Sequence, residues 1–177
     1  MMIAVLLIGG FLTTAPSAGS TRECGPSRLP RFAHYAVDLQ VVPDPKLDLN
    51  SHVIGRRFRT VLTRAVRANP PNLAGHFLLV EWGCGTSCGM LAIVDLESGK
   101  LWHDADLIVT RGVEYRADSR LVIINTGQEP FAAQVPTSYY AWRGDRPELI
   151  CQVHHQAEAS ASPGGGSGVP RTIVSSH

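Results

Sequence analysis

The chain has 177 residues, enough for one domain with a sizeable core and too few for two comfortable ones. Hydrophobic residues make up 44% and charged residues 18%, the balance of a chain that folds rather than one that stays disordered. Sixteen basic against fifteen acidic residues leave a formal net charge of +1, which excludes the global positive field typical of nucleic-acid-binding proteins.

Met2 to Leu12 is an apolar run too short to span a bilayer and of the right length for the core of a signal peptide. Small residues follow through Gly19, so residues 1–19 read as a signal peptide, although no Lys or Arg precedes the run. The mature chain then has no membrane span and is expected in the periplasm or outside the cell. Residues 20–155 read as a single α+β domain. Ser20 to Pro30 is polar and expected to be extended, and Phe32 to Val42 has the alternation of a strand ended by Pro43 and Pro45.

Ser51 can cap a helix whose apolar stripe is Ile54, Phe58, Val61, Leu62 and Ala65, and which must stop near Asn69 before Pro70 and Pro71. Arg56, Arg57, Arg59, Arg64 and Arg67 fall opposite that stripe, and no acid occurs between Asp48 and Glu81. A solvated helix face is the ordinary reading, and contact with an anionic surface or acidic partner is the functional one. Nucleic acid is not expected, because no aromatic residues interleave with the arginines.

From Gly75 the chain turns to strands and tight turns. Phe77 to Trp82 and Met90 to Leu96 flank a glycine–cysteine loop, and Glu97 to Lys100 turns the chain back through Leu101 and Trp102. Val113 to Arg116 with Arg120 to Asn125, and Tyr139 to Arg143 with Pro147 to Val153, make two further hairpins. The pattern predicts an antiparallel β-meander packed by one amphipathic helix. Its hairpins look like propeller blades, but the chain is too short for a propeller, so an open or half-closed sheet is expected. His76 and Glu81 lie on a strand apolar on both faces, which predicts a central strand with a core His76 and an arginine-paired Glu81. Residues 156–177 are rich in Gly, Ser and Pro and read as a flexible tail.

Four cysteines in an exported chain predict disulfides. Glycines 83, 85 and 89 permit a tight loop joining Cys84 to Cys88, which leaves Cys24 for Cys151. The same loop matches the G-x-S-x-G nucleophile elbow at Gly85 to Gly89, with Asp118 and His154 or His155 following in order. That elbow needs a helix after Ser87, whereas Met90 to Leu96 reads as a strand, so no catalytic residue is assigned. Ser87, His76 and Glu81 stay as the candidates of an alternative small-hydrolase reading. Three residues separate Cys84 from Cys88, one more than redox motifs of the thioredoxin kind have. Zinc on Cys84, Cys88, His76 and His103 would need tighter paired spacing, and Asp104 with Asp106 is too little for a hard cation. No metal and no cofactor are expected.

Pro71 to Phe77 followed by Glu81 to Cys88 resembles the core of a group of small exported bacterial proteins to which no activity is attached. The likeness is close from Asn72 to Asp95 and loosens towards Ile150. It implies export and transfers no catalytic residue. The expected function is a non-enzymatic binding or inhibitor-like module of the cell envelope, whose partner is a protein or an envelope component.

Overall fold

The computed structural model describes residues 22–25, 27–86, 88–107, 109–127 and 135–155. The expected signal peptide, the expected tail and Ser87 lie outside the described residues. The described residues form two antiparallel sheets and two short α-helices, an α+β arrangement. The first sheet contains β1 (Phe77–Gly85), β2 (Cys88–Asp95) and β3 (Leu101–Trp102) in chain order. The second contains β4 (Val113–Tyr115), β5 (Leu121–Ile124), β6 (Thr137–Arg143) and β7 (Arg146–Val153), again in chain order. One expected meander is therefore two, and among the described residues neither sheet closes on itself. The break falls after β3, which is only two residues long, where the chain leaves the first sheet to start the second.

Strict alternation assigns each face of these sheets. Phe77, Leu79, Leu91 and Ile93 face Val122, Ile124 and Trp142 of the second sheet and form the core between the sheets. Their neighbours Leu78, Val80, Ala92 and Val94 face the other way, against Leu62 and Val66 of the helical layer. On the far side of the second sheet, Leu121, Ile123, Tyr139 and Cys151 pack against Phe32, Tyr35 and Cys24. The order of layers is helix, sheet, sheet and N-terminal strap.

The single helix expected from Ser51 to Asn69 is two, α1 (Val53–Arg57) and α2 (Arg59–Ala68), joined at Phe58 with φ −114° and ψ 28°. Gly55 of α1 sits so tightly on the Leu49 carbonyl that a Cβ there would collide with it. The joint lets α1 keep that seat while α2 lays Leu62 and Val66 on the sheet. Ser51 is not the cap: its hydroxyl donates to the Asp48 carbonyl at 2.6 Å and accepts from the Leu101 amide at 3.0 Å. His52 caps instead, its Nδ1 accepting from the Ile54 amide at 3.2 Å.

The strand expected over Phe32 to Val42 is a 3-10 turn, Phe32–Tyr35, followed by a largely unpaired strap. Leu39 and Val41 are 64% and 92% exposed, so the alternation there buries little. The strap is held instead by its ends. Ser119 (1% exposed) donates its hydroxyl to Phe32 and Tyr35 carbonyls, and Val37 donates to the Asp118 carbonyl at 2.9 Å.

Candidate functional site

Strand β1 is the edge of its sheet, not a central strand as its two apolar faces suggested. Its faces are covered by α2 and the second sheet, but cover on the faces says nothing about the lateral side. In an antiparallel pair, alternate residues turn their N–H and C=O away from the partner strand. Phe77, Leu79, Glu81 and Gly83 are the outward-turned set. The first two are stitched. Phe77 exchanges hydrogen bonds with Leu73, and Leu79 exchanges them with the side-chain amide of Asn72, at 2.7 and 3.0 Å. On the opposite side of the hairpin, the His103 ring holds the Leu91 carbonyl at 2.8 Å, and Gly89 donates to Val109 at 2.7 Å. Glu81 and Gly83 have no such partner among the described residues.

The hairpin continues past the core to an exposed end. Gly83, Cys84, Gly85, Thr86 and Cys88 are all exposed, and a disulfide joins Cys84 to Cys88 with Cα atoms 5.2 Å apart. Gly85, at φ 145°, absorbs the register shift that brings it opposite Cys88. The second disulfide, Cys24 to Cys151, spans 127 residues and ties the strap to β7. No free cysteine occurs among the described residues.

Beside this end lies a notch of about 390 Å³, where Gly83, Gly85, Gly89 and Gly112 supply no side chains. Glu81 is its one acid and Thr110 Oγ1, buried without a hydrogen-bond partner, lies in its wall. Glu81 extends the inter-sheet row of Phe77 and Leu79, and the Tyr115 phenol of the second sheet lines a groove beside it. Burial raises the Glu81 carboxyl above its ordinary value, and the Tyr115 phenol partly offsets this. Burial also raises the Tyr115 phenol, assisted by the Glu81 charge. The expected arginine partner is thus replaced by a phenol on the other sheet, and no arginine pairs with Glu81 among the described residues.

His76 is at the opposite end of β1, roughly 16 Å away at strand rise. Its Nε2 lies 3.6 Å from Asp95 Oδ1 and 3.9 Å from Glu97 Oε2, and its ring packs at a tilt against Phe77 with centroids 4.1 Å apart. These three side chains offer ligand atoms within 4.8 Å of one another. The Asp95 oxygens already accept from the Glu97 and Ser98 amides and the Ser98 hydroxyl, which closes the β2–β3 turn. A metal on Nε2 would move the ring proton to Nδ1, which is buried with no acceptor. The geometry suits an N–H directed at two carboxylates better than a cation. Burial pushes the Asp95 carboxyl up, but the Ser98 hydroxyl, the two amides and His76 together hold it below its ordinary value.

The structure does not bring the other sequence candidates together. His76 and Glu81 are separated by the length of β1, and Ser87 is outside the described residues. Of the zinc set, Cys84 and Cys88 are bridged and His103 is held by Leu91. Asp104 accepts from the Asp106 amide at 2.9 Å in a local turn. Asp118 lies in the turn between β4 and β5; His154 is exposed, while His155 is half-buried with Nε2 at 2.8 Å from Thr137 Oγ1. The five arginines are all exposed, and none forms an ion pair among the described residues. No helix of the described residues is long and apolar enough to cross a membrane.

Sequence reasoning missed the Glu81–Tyr115 pair, the His76–Asp95–Glu97 group and the half-stitched edge. Each depends on cross-strand register or on side chains from distant segments. The Asn72 side chain on Leu79 had one visible signal: an Asn immediately after two prolines, where the chain must leave the helix extended. Comparison with family models, with curated proteins and with solved structures finds no match.

Proposed function

We propose that this chain is an exported, non-enzymatic binding module of the cell envelope, inhibitor-like in that a rigid exposed loop engages a protein partner. The observation that carries the reading is the end of the β1–β2 hairpin, exposed from Gly83 to Thr86 and locked by Cys84–Cys88. A loop ordered before binding loses less conformational entropy on association, so a disulfide across so few residues serves recognition more than global stability. Two disulfides suit an oxidising compartment, which supports export. The likeness of Asn72 to Asp95 to small exported bacterial proteins points the same way.

The test is direct binding. A partner captured from envelope extract is purified and titrated against the intact protein and against a Cys84→Ser/Cys88→Ser variant. The variant is expected to keep its fold and to bind at least about ten-fold more weakly. Unchanged affinity with the loop unlocked overturns the reading.

A further inference from the structure

The lateral side of β1 changes character along its length, and the change has a chemical meaning. Phe77 and Leu79 have their outward N–H and C=O groups occupied by Leu73 and Asn72, whereas those of Glu81 and Gly83 face outward with no partner among the described residues. The edge is not blocked there by proline or lysine, the devices that normally protect one. A Cβ at Gly83 would meet nothing within 4 Å, so the sheet face at this point is open among the described residues. Alongside runs a groove of about 440 Å³ between α2 and β1, floored by Ala65, Ala68 and Leu79 and rimmed by Arg64, Asn72 and Glu81.

We propose that an extended segment of a partner protein adds to this edge as a short strand at Glu81 and Gly83, with acidic side chains on its α2-facing side. The inference rests on the binding reading above and specifies its partner. Main-chain hydrogen bonds supply the attachment, and alternate side chains supply the selectivity. The charge follows from α2 and α1, which expose Arg56, Arg57, Arg59, Arg64 and Arg67 without one ion pair among the described residues. No acid lies between Asp48 and Glu81 to neutralise them. A second copy of the chain is the wrong occupant, because edge-to-edge pairing would bring two arginine-bearing helices towards each other. The bulge between Gly83 and Gly85 ends the regular edge and keeps the added strand short.

The probe is a capped peptide of alternating threonine and glutamate, added to the full disulfide-bonded protein and read by amide hydrogen exchange and NMR titration. Exchange at Glu81 and Gly83 is expected to slow about ten-fold or more, and rising salt should weaken the effect. Gly83→Pro removes an outward N–H that β2 does not use and should abolish the protection, while Gly83→Ala should retain it. If Gly83→Pro fails to fold, Arg59→Glu/Arg64→Glu/Arg67→Glu on the exposed helix face must abolish it instead. Equal protection by a threonine–lysine peptide overturns the proposal, as does binding that leaves Glu81 and Gly83 unaffected, or no binding at millimolar peptide. Protection that grows with protein concentration alone identifies a second copy as occupant and also overturns it. A partner whose affinity falls on loss of Cys84–Cys88 but not with Gly83→Pro leaves the hairpin reading standing and removes this one.

Discussion

The two ends of the β1–β2 hairpin share the same strands and are finished in opposite ways. At the base, Asp95 closes a turn with three hydrogen bonds, His76 leans on two carboxylates, and Asn72 and Leu73 occupy the outer edge. At the far end the edge has no partner among the described residues, glycines replace side chains, and a covalent bridge substitutes for packing. The base spends its polar groups on holding itself together. The far end leaves its polar groups unspent, which is what a surface kept for another molecule requires.

The largest effect should separate the two disulfides. Removing Cys24–Cys151, which spans 127 residues, should cost about 4–5 kcal/mol in the chain-entropy account, whereas opening Cys84–Cys88 should cost about 2 kcal/mol. Thermal melts of Cys24→Ser/Cys151→Ser and Cys84→Ser/Cys88→Ser variants make the comparison. Equal losses would mean that the short bridge is a pillar of the fold and not a brace for a loop.

Next comes the stitched edge. Asn72→Ala removes two hydrogen bonds and leaves the Leu79 amide and carbonyl unpaired beside the helix, which should cost about 2 kcal/mol. Denaturant midpoints measure the loss, and amide exchange should accelerate at Leu79 and not at Glu81. Acceleration at both positions would erase the distinction between a closed and an open stretch of edge.

How much of this was legible beforehand depends on what kind of order each feature has. The three hairpins and the helix leave local marks, such as the apolar run of Leu121 to Ile124 or the Gly144–Asp145 turn, and these lie close to where the pattern put them. The helix joint at Phe58 leaves no such mark, because it answers to Leu49, which must touch Gly55. The second sheet was hidden for a related reason: nothing local in Asp104 to Gly112 says that the chain is changing layers. Glu81 shows the limit most clearly. Its apolar neighbours signalled burial, yet Glu81 stays exposed at the end of the row, and the Tyr115 phenol beside it is set by how two sheets stack. The strap misled in the other direction, since Leu39 and Val41 alternate as a strand does and yet face solvent.

A smaller effect tests the base of the hairpin. Asp95→Ala should destabilise by about 1 kcal/mol at neutral pH by opening the turn. The Asp95 carboxyl is held below its ordinary value of 3.8, so the fold favours its ionised form. That stability is present above the unfolded value and is lost as pH falls through the folded one. The gap between wild type and Asp95→Ala, followed by denaturation at stepped pH, should therefore narrow only in strong acid. A gap that closes near neutrality would show that the Asp95 carboxylate is not the group responsible.

The smallest effect has the opposite sign and belongs to the far end. The Glu81 carboxyl is raised above its ordinary value of 4.5 by burial, so folding disfavours its charge. A raised acid contributes stability that is fully present below the unfolded value and is lost as pH climbs through the folded one. Glu81→Gln removes the charge while keeping a carbonyl that can accept from Tyr115. The variant should therefore be slightly more stable than wild type at neutral pH, with the difference fading as the medium is acidified and the wild-type carboxyl protonates. Melting temperatures of the pair across pH decide the point. A variant less stable than wild type at neutral pH would mean that the Tyr115 phenol outweighs the desolvation of the charge. In that case the far end would be finished like the base, and the contrast between the two would lose its electrostatic half.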